Sequence, residues 1–224
     1  MKLQISDLNN ALEYRIKAFL FDLDGTLIDS SDAIFKTIAK VLDSKEHHYD
    51  RNKVAKVIGM PLEQIFGILI PALSDKEIWQ YVLEYREYYS IYGLKCTKLH
   101  SGVDSLLRKL REHDFKLGVT TTKYRKFALE ELERFNLVEL FDTVVTGYEV
   151  KQHKPAPDII LEAAKRLGMA ASNCAVVGDS PLDIKSGRKA GALTIAVLTG
   201  PHDRTQIQNA EPHFILKDLK SIGI

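Results

Sequence analysis

The sequence predicts an α/β protein: a doubly wound parallel sheet core carrying an inserted helical subdomain. Three observations predict it. Short apolar runs ending in turn or acidic residues alternate with amphipathic stretches over most of the chain, as strands and crossover helices do in a parallel sheet. Several of these runs are apolar on both faces, which suits strands covered by helices on both sides. The alternation lapses between about residues 31 and 99, where the patterns are helical throughout.

Taken in order, the first strand is expected over residues 16–21, apolar apart from Lys17 and ending at Asp22. Helical patterns follow over 33–42, 52–58, 62–69 and 76–92, separated as turns by Gly59-Met60-Pro61 and by Pro71. Helix 103–112 leads to a strand at 116–121, and helix 125–135 to a strand at 142–146. Helix 157–167 leads to 174–177, and helix 181–190 to 192–197. Pro157 and Pro181 stand near helix starts, while Gly168 and Gly191 stand where helix C-terminal glycines belong. The domain division expected is an N-terminal extension over 1–15, a core over 16–30 and 100–224, and a helical insertion over 31–99.

Composition narrows the partners. Of 224 residues, 45% are hydrophobic and 27% charged, the balance of an ordinary globular protein. With 31 basic and 30 acidic residues the net charge is +1, so no global field favours nucleic acid or an anionic membrane. Neither is expected as a partner, and affinity for phosphate has to be local. Cys96 and Cys174 are too far apart and too few for a disulfide framework or a zinc site. Cys174 reads as a small buried hydrophobe. The opening MKLQISDLNN lacks the apolar stretch of a secretory signal, and no run nears the roughly 18 residues of a membrane span. A cytoplasmic location is expected.

Four short motifs carry the chemistry. Asp22-Leu23-Asp24-Gly25-Thr26 puts two carboxylates at a strand end. One can act as nucleophile and metal ligand, the other as acid and base; so crowded a pair implies a cation or a retained proton. Gly25 permits the tight turn. An EF-hand loop does not fit, since its glycine position falls on Leu27 and its glutamate position on Ala33. Val119-Thr120-Thr121-Thr122-Lys123 brings hydroxyls and backbone amides to a strand–helix junction, where they can hold phosphoryl oxygens. Threonines also serve simply as β-branched strand residues. Lys154-Pro155-Ala156-Pro157 offers a point charge before a helix; alone, it reads as a surface lysine. In Gly178-Asp179-Ser180-Pro181-Leu182-Asp183, Asp179 leaves a strand and Asp183 lies on the first helical turn. Hard oxygen ligands of this kind suit magnesium, although Asp183 could equally serve the helix dipole. Asp22, Thr121 and Asp179 each fall at the carboxyl end of an expected parallel strand, the edge where doubly wound sheets bind ligands.

These motifs, in this order over roughly residues 16–215, resemble those of the haloacid dehalogenase-like hydrolase superfamily. Within it the chain is most similar to phosphoglycolate phosphatases and related bacterial pyrophosphatases. The resemblance implies Asp22 as nucleophile, Asp24 as acid/base, Thr121 as the phosphate-binding hydroxyl and Lys154 as cationic clamp; Thr122, beside Thr121 in the same motif, is a further phosphate-binding candidate. It implies Mg2+ on the Asp22 carboxylate, the Asp24 backbone carbonyl and the Asp179 carboxylate, with Asp183 in support. The expected reaction is hydrolysis of a small phosphorylated molecule, phosphoglycolate first and pyrophosphate second, through an aspartyl-phosphate. The insertion over 31–99 matches the family's mobile cap, with Gly59-Met60-Pro61 as candidate selector of the leaving group; Arg51 and Lys53 are candidates beside it, but read first as charges on a solvated helix face. Tyr81, Tyr85, Tyr88, Tyr89 and Tyr92 read as packing between cap and core. One departure is His100-Ser101 before Gly102, where relatives often have proline; it touches the hinge. Haloacid dehalogenation is disfavoured because that branch lacks an acid/base at the Asp24 position. A sugar-phosphate mutase is disfavoured because Ile34 stands where mutase-type members carry a histidine. A silent binding module would be free to lose Asp22, Asp24, Lys154 or Asp179, and all four are present.

Overall fold

Each of the five expected strands forms, and each pairs in parallel with its neighbour. The computed structural model describes residues 3–4 and 15–223; most of the expected N-terminal extension therefore lies outside the described residues. In chain order the strands are β1 (Leu3–Gln4), β2 (Ala18–Phe21), β3 (Ile28–Asp29), β4 (Lys98–Leu99), β5 (Lys116–Thr121), β6 (Thr143–Thr146), β7 (Cys174–Gly178), β8 (Leu193–Val197), β9 (Phe214–Leu216) and β10 (Ile222–Gly223). Six of them make one sheet in the order β6-β5-β2-β7-β8-β9. The sixth strand, β9, has no counterpart among the expected elements: at three residues it is too short to show a period, and its pairing with β8 makes it a strand.

The long helices are α1 (Ser31–Ser44), α2 (Arg51–Val57), α3 (Leu62–Leu69), α4 (Asp75–Tyr88), α5 (Val103–Glu112), α6 (Arg125–Arg134), α7 (Asp158–Arg166) and α8 (Pro181–Lys189), followed by a short α9 (Arg204–Gln208). Strand side chains alternate between the two faces. Phe19 and Phe21 join Val119, Val177 and Ile195 under α5 and α6, while Ala18 and Leu20 join Val176 and α7 on the other face. This two-sided burial is why the strands read as near-continuous apolar runs. Gly168 and Gly191 adopt φ of 70° and 76° just past α7 and α8, as the sequence implied.

β2 lies between β5 and β7, and the chain moves from β6 across to β7 on the opposite side. The carboxyl ends of the three central strands therefore sit at the point where the strand order reverses.

Between β3 and β4, helices α1 to α4 bury Ile38, Val54, Phe66, Val82 and Tyr85 in an apolar cluster apart from the sheet. Asp50 caps α2 by accepting from the Asn52 amide at 2.8 Å, and Ser74 and Glu77 form a capping box on α4. The helix expected over 76–92 differs in its last turn. The α-helix ends at Tyr88, and Tyr89–Gly93 is a π turn. Gly93 allows it, since a Cβ there would stand 2.4 Å from the Tyr89 ring. The packing role expected of five tyrosines is corrected at one: Tyr92 is 63% exposed, whereas Tyr81, Tyr85 and Tyr89 are buried. β3 and β4 pair antiparallel, so the chain leaves and rejoins the core side by side.

Candidate active site

Asp22 follows β2 directly, Thr121 ends β5 and Asp179 follows β7, so three neighbouring strands deliver them to one edge. Sequence-distant groups meet there. Lys154 is buried, and its Nζ donates to Asp22 Oδ1 at 2.9 Å, to the Thr120 carbonyl at 2.7 Å and to Asp183 Oδ1 at 2.5 Å. All three ammonium donors are used, which fixes the lysine between the second and fourth motifs. Asp183 also closes a capping box on α8: its Oδ2 accepts from the Ser180 hydroxyl at 2.6 Å and the Ser180 amide at 3.1 Å. Asp183 thus caps α8 through Oδ2 and touches the buried lysine through Oδ1.

The acids crowd. Ligand oxygens of Asp22, Asp179 and Asp183 all lie within 4.8 Å of one another. Burial raises the Asp22 carboxyl to about 7, with Lys154 opposing and Asp183 adding to the rise. Asp179 is raised well above the carboxylate range by burial and by the Asp22 and Asp183 charges. Thr26 donates to its Oδ1 at 2.7 Å, and two glycines make room for the carboxylate: a Cβ on Gly25 would stand 2.4 Å, and one on Gly200 1.8 Å, from Oδ2. The turn after Asp24 is closed by bonds from Leu27 and Ile28 to the Leu23 carbonyl and from Gly25 to the Ile28 carbonyl, none of which uses the Asp24 carbonyl. Buried carboxylate oxygens with one ammonium among them make a donor set that fits a hard divalent cation such as Mg2+.

Asp24 is held differently. Its Oδ1 accepts from the Ser30 hydroxyl at 2.5 Å and from Lys123 Nζ at 2.6 Å. Asp24 borders two spaces. One is the crevice lined by Asp22, Thr121, Asp179 and Ser180. The other is a cavity of about 50 Å³ under the inserted helices, lined by Ile34, Met60, Tyr85, Tyr89 and Phe127 among others.

Of the expected site residues, Asp22, Asp24, Thr121, Lys154, Asp179 and Asp183 thus come together. Thr122 also reaches the crevice, but its hydroxyl donates to the Gly59 carbonyl at 3.0 Å and ties the core to the insertion. Gly59 and Met60 do border the cavity. Arg51 and Lys53 line neither space; Arg51 stacks on Phe35 at 4.6 Å. The sequence gives no sign of Ser30 or Glu131 at the site, points to Tyr89 only as packing, and assigns Lys123 no task. Glu131 did leave a trace, since it shares the apolar face of α6 with Phe127, Ala128 and Leu132.

Comparison with known proteins decides the family. The haloacid dehalogenase-like hydrolase family model matches residues 19–197. This chain belongs to that family. Its relatives include the pyrophosphatase PpaX of Bacillus pumilus, 32% identical over 211 residues and covering 94% of this chain and 96% of the relative. Another is the pyrophosphatase PpaX of Halalkalibacterium halodurans, 30% identical with 92% and 95% covered. Among solved structures, a hydrolase from Pseudomonas syringae superposes with a TM-score of 0.84 at 25% identity, covering 92% of this chain and 95% of that one. A haloacid dehalogenase-like hydrolase from Streptococcus pneumoniae gives 0.79 at 28%, covering 90% and 93%. The four motifs of this haloacid dehalogenase-like hydrolase therefore sit on the family's own fold. Among the described residues no helix is long and apolar enough to cross a membrane.

Proposed function

We propose that the protein is a magnesium-dependent phosphatase that transfers the phosphoryl group of a small phosphorylated compound to Asp22 and then to water. The observation that carries this reading is the position of Asp24, bordering both the acidic crevice and the cavity beyond it. A phosphorus held beside Asp22 would have its leaving oxygen on the Asp24 side.

Asp22 attacks phosphorus in line, held by Lys154 at 2.9 Å. Asp24 gives a proton to the departing oxygen, then takes one from the water that hydrolyses the aspartyl-phosphate, the two-step economy of covalent catalysis. Thr121 orients the transferred group and Lys154 offsets its charge. Mg2+, when bound to the Asp22 and Asp179 carboxylates and the Asp24 carbonyl, neutralises phosphoryl charge and relieves the crowding of the acids. Asp183 supports by holding Lys154. Residues 31–99 act as a cap that excludes water and sets the leaving group, and residues 16–30 and 100–224 as the catalytic core.

A cavity of about 50 Å³, against roughly 10–15 Å³ for one water, suits a leaving group of a few non-hydrogen atoms. Glycolate and phosphate both meet that size. Pyrophosphate is the second reading because relatives at 30–32% identity carry the pyrophosphatase name. The buried Ile34 side chain on the cavity wall offers no polar group for a mutase.

The test is phosphate release from phosphoglycolate, pyrophosphate and small sugar phosphates, with Mg2+ and with a chelator. Release from one of them, lost on chelation, is the expected result. Asp22→Asn should abolish turnover with an unchanged circular dichroism spectrum. Turnover near wild type in that variant would rule out Asp22 as nucleophile, and turnover that survives chelation would remove the metal from the reading.

A further inference from the structure

Lys123 is a buried cation that the mechanism above leaves without a task. Its side chain is 7% exposed and meets three groups brought from separate parts of the chain. Nζ donates to Asp24 Oδ1 at 2.6 Å and to the Tyr89 hydroxyl at 2.8 Å, and pairs with Glu131 Oε2 at 2.9 Å. Tyr89 in turn donates to Glu131 Oε1 at 2.7 Å. Lysine, tyrosine and glutamate thus close a ring behind the Asp24 carboxylate. Glu131 is fully buried on α6, and Tyr89 comes from the π turn of the inserted helices.

A lysine and glutamate alone would form an ordinary internal ion pair, and such pairs add little net stability. Here the lysine is shared with Asp24, and the sharing is lopsided. Both donors that reach Asp24, Lys123 and Ser30, bond to Oδ1. Among the described residues no hydrogen bond is made to Oδ2. An acid/base carboxyl needs this asymmetry: one oxygen anchored, the other at liberty to carry and release a proton.

We propose that Lys123 is a positioning residue for the acid/base step, fixing Asp24 through Oδ1 so that Oδ2 meets the leaving oxygen, with Glu131 and Tyr89 holding the lysine in place. Because Tyr89 belongs to the insertion, the hold is complete when the helices are seated on the core. The proposal rests on reading Asp24 as the group that protonates the leaving oxygen.

Its test uses two small substrates of similar size. Ethoxide leaving from ethyl phosphate needs a proton, whereas acetate leaving from acetyl phosphate does not. kcat/KM reports the steps up to departure of the leaving group, so water attack on the aspartyl-phosphate, common to both, does not mask the difference. Phosphorus NMR follows both reactions. Lys123→Met should lower kcat/KM for ethyl phosphate about 100-fold and for acetyl phosphate far less, by roughly 3-fold. Equal losses on the two substrates would overturn the proposal and leave Lys123 a packing element. Tyr89→Phe keeps the ring and removes one hydroxyl, so it answers even if Lys123→Met does not fold. It should show the same selectivity at roughly 5-fold, and an unselective loss counts against the proposal. Asp24→Asn separates the two readings: if it too loses both substrates equally, Asp24 is not the leaving-group acid, and the fault lies in the underlying mechanism.

Discussion

One methyl group at position 25 would undo the acidic corner of the site. Gly25 has φ of 87°, and a Cβ there would lie 2.4 Å from Asp179 Oδ2. The left-handed backbone alone costs an L-residue about 1–2 kcal/mol, and the clash displaces the carboxylate expected to hold the metal. Gly25→Ala should therefore lower the unfolding midpoint, and the rise in midpoint expected when Mg2+ is added to the wild type should be absent in the variant. A variant that keeps its Mg2+-dependent shift would show that Asp179 tolerates displacement. At this scale the sequence was informative wherever chemistry coincides with an element end. Asp22 and Asp179 are acids directly after apolar runs, a placement legible without coordinates. Lys123 was not legible, because its work depends on Glu131 and Tyr89, which only tertiary packing brings to it. Thr122 looked like a second phosphate hydroxyl, and its bond to Gly59 depends on how the insertion is seated.

Elements are joined by side chains that no periodicity announces. Asp142, just before β6, accepts from the Leu117 amide at 2.8 Å and from Arg111 Nη1 at 2.6 Å, and meets Lys116 Nζ at 3.0 Å. It fastens the end of α5 and the start of β5 to β6. Burial would raise its carboxyl, but the Leu117 amide and the Lys116 and Arg111 charges outweigh this and hold it below 3.8. A carboxyl depressed in the folded state stabilises above its unfolded pKa and loses that contribution as pH falls through the folded one. Asp142→Ala should cost about 1–2 kcal/mol at neutral pH, and the gap between variant and wild type should close below about pH 4. Denaturant melts at several pH values measure this, and a gap independent of pH would mean that the charge is not responsible. The strands and helices of the core were legible because their residues keep period or continuity over four or more positions. β9 and the π turn were not: three residues carry no period, and a π turn differs from an α turn by one hydrogen-bond step.

At the scale of the whole molecule, the insertion is pinned to the sheet edge by aromatic and polar contacts. The Arg86 guanidinium on α4 lies 4.1 Å from the Tyr124 ring centroid and 5.3 Å from that of Tyr148, both core residues. The Tyr148 hydroxyl donates to Glu63 of α3 at 2.9 Å. Removing Arg86 takes away stacking worth about 1–2 kcal/mol. Arg86→Ala should raise KM and speed amide hydrogen exchange in α3 and α4 while the sheet exchanges as before. Unchanged exchange in those helices would show that the cationic stack does not hold them down. The sequence indicated that 31–99 differs from its surroundings, because a helical stretch interrupts a strand–helix alternation. It gave no sign of this clasp, whose members lie in α3, in α4 and in loops after β5 and β6.

The antiparallel pairing of Ile28–Asp29 with Lys98–Leu99 has a consequence for how such an enzyme can be remodelled. Adjacent strands of this kind stand about 5 Å apart, a gap that a two-residue hairpin spans. Everything from Ser31 to Thr97 can be traded for a tight turn, or for a lid of another shape, without rethreading the sheet beneath. If the proposed cap role of 31–99 holds, a version without it would open the Asp22 crevice to bulky esters and to water alike, giving up selectivity for reach.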